Sequence, residues 1–174
     1  MNEGLAFVLQ GEADRAVGEL IATNLNEPSC HAIAKWQQAV EKCMKGIVAA
    51  LRDAKVLHQD PGFDHKVADL TEVLIRLPRA SDNRMIHRHL MGMFDPATKA
   101  ALRSLDALVP RRPPKGRPPV RNTEYPFRSD RNDWLHPASA GVFSKEEEAR
   151  FRAVAHRDAA GAGKIVSAIL RSPR

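Results

Sequence analysis

The chain has 174 residues, 43% hydrophobic and 28% charged, with a net charge of +6 and only 5% aromatics. That length suits one compact domain, since two independent domains would each bury too little surface. The aromatic-poor, aliphatic composition favours helices over a sandwich or barrel, and no run approaches the ~20 apolar residues of a membrane span.

A first helix is expected over residues 2–25, where Leu5, Val8, Leu9, Ala13, Ala16, Val17, Leu20 and Ile21 recur at steps of three and four and form an apolar stripe. Pro28 suits the first turn of a second helix, reaching residue 54. Its buried face reads Ile33, Trp36, Val40, Cys43, Ile47 and Leu51; Lys35, Gln38, Glu41, Lys42 and Lys45 make much of its polar side. Cys30 and Cys43 share this helix, 13 residues and so roughly 20 Å apart, too far for a disulfide. They read as core thiols of a cytosolic protein, and the start, Met1-Asn2-Glu3-Gly4, lacks the pattern of a signal peptide.

Asp60-Pro61-Gly62 marks a turn. A shorter helix is predicted over residues 65–77, another over 84–94 with Ser81 or Asp82 as its cap, and a fifth over 96–109. Five prolines between residues 110 and 119 exclude helix there and favour a stiff, extended basic loop. The irregular stretch continues to about residue 143, where Ser144 and Glu147 form a capping box that opens the last helix. Phe151, Val154, Ala155, Ala162, Ile165, Val166 and Ile169 line the inner face of that helix. No stretch reads as an alternating strand.

The charge is concentrated. Arg111, Arg112, Lys115, Arg117, Arg121, Arg128 and Arg131, opposed only by Glu124 and Asp130, give residues 110–131 a net +5 of the chain's +6. Such a segment can contact phosphates, although exposed basic loops also serve solubility alone.

Four elements carry a family resemblance. The centre of the second helix, Q-Q-A-V-E-K-C-M-K from Gln37 to Lys45, resembles the Q-Q-A-x-E-K-x-x-K signature of HEPN (higher eukaryotes and prokaryotes nucleotide-binding) domains. His65-Lys66-Val67-Ala68-Asp69-Leu70 is similar to the family's H-x-L-x-x-L, and Glu124-Tyr125-Pro126 to its R-Y-P. Phe143 to Ala149 resembles the F-S-x-E-x-A start of the last helix. The elements follow family order and span most of the chain. Residues 81–121 match nothing in the simplest members, and Glu124 stands where the family often has Arg. The resemblance implies an all-α, up-and-down helical bundle of HEPN type over residues 1–174, as a single domain. An inserted helical pair and a long Pro/Arg-rich loop occupy about residues 81–120, with the basic loop at 110–120.

It also implies chemistry. Catalytic members are metal-independent RNA endonucleases with an Arg, usually followed by a polar residue, and a His four to six residues after the Arg. The His exchanges a proton with the ribose 2′-hydroxyl or the leaving oxygen, and the Arg clamps the phosphate. Arg84 to His89, Arg131 to His136 and Arg150 to His156 have that spacing. Of these three, Arg131 alone is followed by a fitting polar residue, so Arg131, Asn132 and His136 are the expected catalytic group, although Pro137 disfavours helix at His136. Arg111, Arg112, Lys115, Arg117, Arg121 and Tyr125 are the expected nucleic-acid contacts. Trp134 suits either the core or a stacked base. His87 and His89 sit two apart on a helix and point apart, so they read as surface or core residues; no metal or cofactor is expected. The resemblance further implies a homodimer with the last helix and the loop before it near the two-fold axis. Three functions fit: a ribonuclease of a toxin or defence system, a non-catalytic RNA- or nucleotide-binding module, and an interaction subunit for a nucleotidyltransferase-type partner.

Overall fold

The computed structural model describes residues 2–24, 29–57, 67–75, 84–108, 123, 127–128, 134–135 and 143–171. Six helices dominate: α1 (Glu3–Asn24), α2 (Ser29–Asp53), α3 (Val67–Ile75), α4 (Arg84–Met93), α5 (Pro96–Ala107) and α6 (Lys145–Arg171). Each lies within a few residues of its predicted span. The protein is all-α, and no described helix is long and apolar enough to cross a membrane.

α2 is the axis of the fold. Its expected apolar face, Ile33, Trp36, Val40, Cys43, Ile47 and Leu51, is buried throughout, and from Gly46 to Leu51 every residue is buried. α1 and α6 pack against it, α4 packs on α6, and α3 packs with α5. One contiguous apolar cluster draws side chains from all six helices. Both cysteines are free and buried in it, and the expected inner face of α6 is buried in full.

α1 departs from its predicted role. Of its eight stripe residues only Val8 is buried; Leu9, Ala13, Ala16, Val17 and Leu20 face solvent. The face turned to α2 carries Gly4, Gly11 and Gly18, seven residues apart. A Cβ on these glycines would lie 2.7 Å from the Gly46 carbonyl oxygen, 2.9 Å from that of Ala39 and 3.2 Å from that of Ala32. The partners descend as the glycines ascend, so the helices run antiparallel with their backbones almost touching. Close backbone contact, which only glycine permits here, outweighs burying the aliphatic row.

Ends are fixed by polar contacts. Ser144 and Glu147 form the expected box: the Glu147 amide donates to Ser144 Oγ at 3.1 Å and the Ser144 amide to Glu147 Oε2 at 2.9 Å. Asp95 caps α5 through the Thr98 amide at 2.7 Å, just before Pro96 at the first turn. Asp106 of α5 takes the amides of Val67 and Ala68 at 3.0 and 2.7 Å and so caps α3 from a neighbouring helix. Past the end of α2, Lys55 adopts a left-handed conformation with φ 57°.

One expectation is corrected. β1 (Phe127–Arg128) and β2 (Trp134–Leu135) pair antiparallel, with Phe127 opposite Leu135 and Arg128 opposite Trp134. Two residues per strand are too few to carry a readable alternation.

Candidate functional site

The expected catalytic residues Arg131, Asn132 and His136, and the expected contacts Arg111, Arg112, Lys115, Arg117, Arg121 and Tyr125, lie outside the described residues. Their flanks are placed. The Thr123 amide donates to the Leu108 carbonyl at 3.0 Å, and Thr123 is buried. Thr123 thereby sits against the C-terminal end of α5. Arg131 and Asn132 fall in sequence between β1 and β2, and His136 directly follows β2.

Among the described residues, chemistry gathers on α6. Its first turn carries Glu146, Glu147 and Glu148, which complement the positive end of the helix dipole. After them come Arg150, Arg152, Arg157, Lys164 and Arg171, and the only further acid is the buried Asp158.

Between α6 and α4 lies a cleft of about 310 Å³, lined by Arg88, His89, Gly92, Met93, Arg157, Ala160, Gly161 and Lys164. Its rim is cationic or imidazole, its floor is small or apolar, and no carboxylate lines it. Two local features build it. A Cβ on Gly161 would sit 2.3 Å from Met93 Cγ, so glycine is what lets the two helices approach; at Gly92 a Cβ would meet nothing within 4 Å, leaving the mouth open. Arg157 donates to Asp95 Oδ2 at 2.5 Å and to Thr98 Oγ1, which fixes its guanidinium. The Thr98 amide chiefly, with Arg157, holds the Asp95 carboxyl below its ordinary value. Arg88 and Lys164 are exposed and carry no ion pair among the described residues. Such a rim suits phosphate oxygens, and the floor suits an apolar ring beside them.

A second constellation joins α6 to α1. Arg152 makes a forked pair with Glu19, its Nε donating to Oε1 at 2.9 Å. His156 Nε2 lies 2.8 Å from the same Oε1, and Arg15 Nη1 lies 3.3 Å from His156 Nδ1. The same Arg15 Nη1 lies 3.4 Å from His156 Nε2, so the guanidinium sits against the edge of the ring between its two nitrogens. Burial raises the Glu19 carboxyl, but the hydrogen bonds from Arg152 and His156 and their charges more than offset it, so Glu19 sits below its ordinary value. Spacing in the sequence does not single out this pair. Arg152 stands four residues before His156, as the catalytic motif requires, but Ala153 follows it rather than a polar residue. Glu19, far off in the chain, gives no sequence signal at all.

The core also holds titratable groups, Asp158 and Cys43 among them. Asp158 is fully buried on α6, and neither carboxylate oxygen receives a hydrogen bond from the described residues. Burial pushes its pKa from an ordinary 3.8 to about 8, with Arg157 pulling slightly the other way. Burial, then the charge of Asp158, likewise pushes the Cys43 thiol to about 12, which makes it a poor nucleophile. Among the described residues, no three His, Cys, Asp or Glu side chains converge as a metal site. Compared with protein-family models, curated proteins and solved structures, the chain matches none.

Proposed function

We propose that this chain is a HEPN-like RNA- or nucleotide-associated protein that holds phosphate in the cleft between α4 and α6. The observation that carries the reading is the lining of that cleft: Arg88, His89 and Lys164 on the rim beside Arg157, which Asp95 holds from outside, and no carboxylate among the lining residues. The basic segment, Arg111, Arg112, Lys115, Arg117 and Arg121, with Tyr125 beyond it, adds a second run of the same charge in the sequence. The test is binding of single-stranded RNA across a salt series. Arg88→Glu with Lys164→Glu weakens binding and flattens its salt dependence, by roughly 0.7 log units of slope for each phosphate no longer neutralised. An unchanged slope removes the cleft from the interface.

The enzymatic form of this proposal is a metal-independent endoribonuclease in a toxin or defence system. Arg131, Asn132 and His136 are its candidate catalytic group, and Arg152 with His156 the competing pair. Glu19 fixes the orientation of the His156 imidazole, and Arg15 would have to move off the ring for a nitrogen to exchange a proton with substrate. Cleavage that survives EDTA, leaves a cyclic phosphate and spares DNA identifies 2′-hydroxyl attack. Loss of ~10²–10⁴-fold in His136→Ala or in His156→Ala then assigns the site.

A second reading, an interaction subunit for a nucleotidyltransferase-type partner, is favoured by the aliphatic row that α1 turns to solvent. Co-purification with such a partner, abolished by a charge in that row, distinguishes it.

A further inference from the structure

We infer, building on the reading of this cleft as a phosphate site, that the space between α4 and α6 takes the terminal phosphomonoester of a single nucleotide, free or at the end of an RNA strand. The diester backbone of a strand passing through is not its ligand. α4 falls within residues 81–121, which the family resemblance does not cover, so the cleft belongs to a part of the fold particular to this chain.

Charge selects the group. The two helices run in opposite directions along the cleft: Met93 lies against Gly161, and Asp95, just past the end of α4, holds Arg157, four residues before Gly161 on α6. Arg88 and His89, about one turn before Met93, therefore fall at the Lys164 end. Arg157 and Lys164 are seven residues apart, so they stand about 10 Å from each other along the helix. At the Arg157 end, Asp95 already answers the charge. At the other end, Arg88 and Lys164 are exposed and have no ion pair among the described residues. Two unanswered positive charges match a phosphomonoester, which carries about −1.5 to −2 at pH 7. A diester brings a single charge and leaves one of the two cations unmatched.

Size and lining select the rest. At about 310 Å³ the cleft is at the small end of ligand sites, which run from roughly 300 to 1,000 Å³, and it suits one nucleotide better than several. Between the two ends, Gly92, Met93, Ala160 and Gly161 make an apolar floor. A base laid on that floor reaches Arg157, whose guanidinium is fixed by Asp95 and Thr98 and offers a planar face for stacking. No lining side chain carries an oxygen, so the amino groups of the bases find no carboxylate or amide there, and recognition falls on the phosphate.

The experiment is calorimetric titration of the full chain with adenosine 5′-monophosphate and with adenosine. Short oligoribonucleotides of one sequence, bearing a 5′-phosphate, a 3′-phosphate or neither, complete the series. The phosphorylated ligand binds at least ~10-fold more tightly than its unphosphorylated counterpart, about the worth of one charge-assisted hydrogen bond. A preference for one phosphorylated strand end identifies the terminus that is read; a preference confined to the free monophosphate identifies the mononucleotide as the ligand. Lys164→Gln removes the preference and leaves the binding of adenosine as it was. Gly92→Leu keeps every charge and fills the open mouth of the cleft, with helix content by circular dichroism retained, since leucine is the better helix former. It weakens binding of the monophosphate at least ~10-fold. Equal affinity with and without the phosphate in every pair overturns the inference, as does a Gly92→Leu protein that binds the monophosphate like the wild type. If RNA binding still falls in Arg88→Glu with Lys164→Glu, the cleft remains a phosphate site of another kind; if it does not, the phosphate reading falls too.

Discussion

Asp158 offers the sharpest quantitative test of the fold. Its folded pKa, about 8, lies above the 3.8 of an exposed aspartate. Between those values the folded protein keeps a proton that the unfolded chain has released, so unfolding is increasingly favoured as pH rises. The stability at stake is fully present below pH ~4, falls by about 1.4 kcal/mol per pH unit, and levels off above pH ~8. By pH 7 the loss is about 4 kcal/mol, a large share of the ~5–15 kcal/mol that holds a typical domain together. Asp158→Asn keeps the shape and removes the titration. Urea unfolding of both proteins at pH 5, 6, 7 and 8 therefore shows the variant gaining on the wild type by on the order of 1 kcal/mol per pH unit up to pH 7 and by less from pH 7 to 8. A difference that stays constant across that range would mean that Asp158 is already ionised in the folded protein, and the reasoning from its burial would fail.

Other substitutions test the packing and the ends. Gly11→Ala places a methyl 2.6 Å from Cys43 Sγ and 2.9 Å from the Ala39 carbonyl, and costs about 1–3 kcal/mol in chemical denaturation. Lys55→Gly relieves the left-handed residue that ends α2 and raises stability by about 0.5–1 kcal/mol, visible as a higher thermal midpoint. Ser144→Ala removes the acceptor for the Glu147 amide and costs about 1 kcal/mol, with fraying at the start of α6 detectable by hydrogen exchange.

The helices were readable because their signals are local. Pro96 following Asp95 and the Ser144–Glu147 box are short-range chemistry, and the α2 and α6 patterns bury residues at the spacing their periodicity requires. The same reasoning misjudged α1, because hydropathy reads aliphatic side chains as a core face and assigns glycine nothing. Gly4, Gly11 and Gly18 carried the information in their spacing of seven, which becomes meaningful only opposite Ala32, Ala39 and Gly46. At the candidate site, the Arg152-to-His156 spacing was present in one dimension. Neither Glu19 nor the assembly of Arg88 and His89 with Arg157 and Lys164 was, since each joins helices far apart in the chain.

The sequence by itself determined an all-helical chain, where its helices begin and end, the central buried helix, and a strongly basic segment after the fifth helix. Those properties follow from backbone propensity, capping and the 3.6-residue period, which act within a few residues. Only tertiary structure decided which face of α1 meets α2, that α4 and α6 enclose a cationic cleft, and that Asp158 is sealed from water. Burial and electrostatic environment are set by neighbours distant in sequence, and a carboxylate beside Arg157 reads as an ordinary surface ion until the helices around it close.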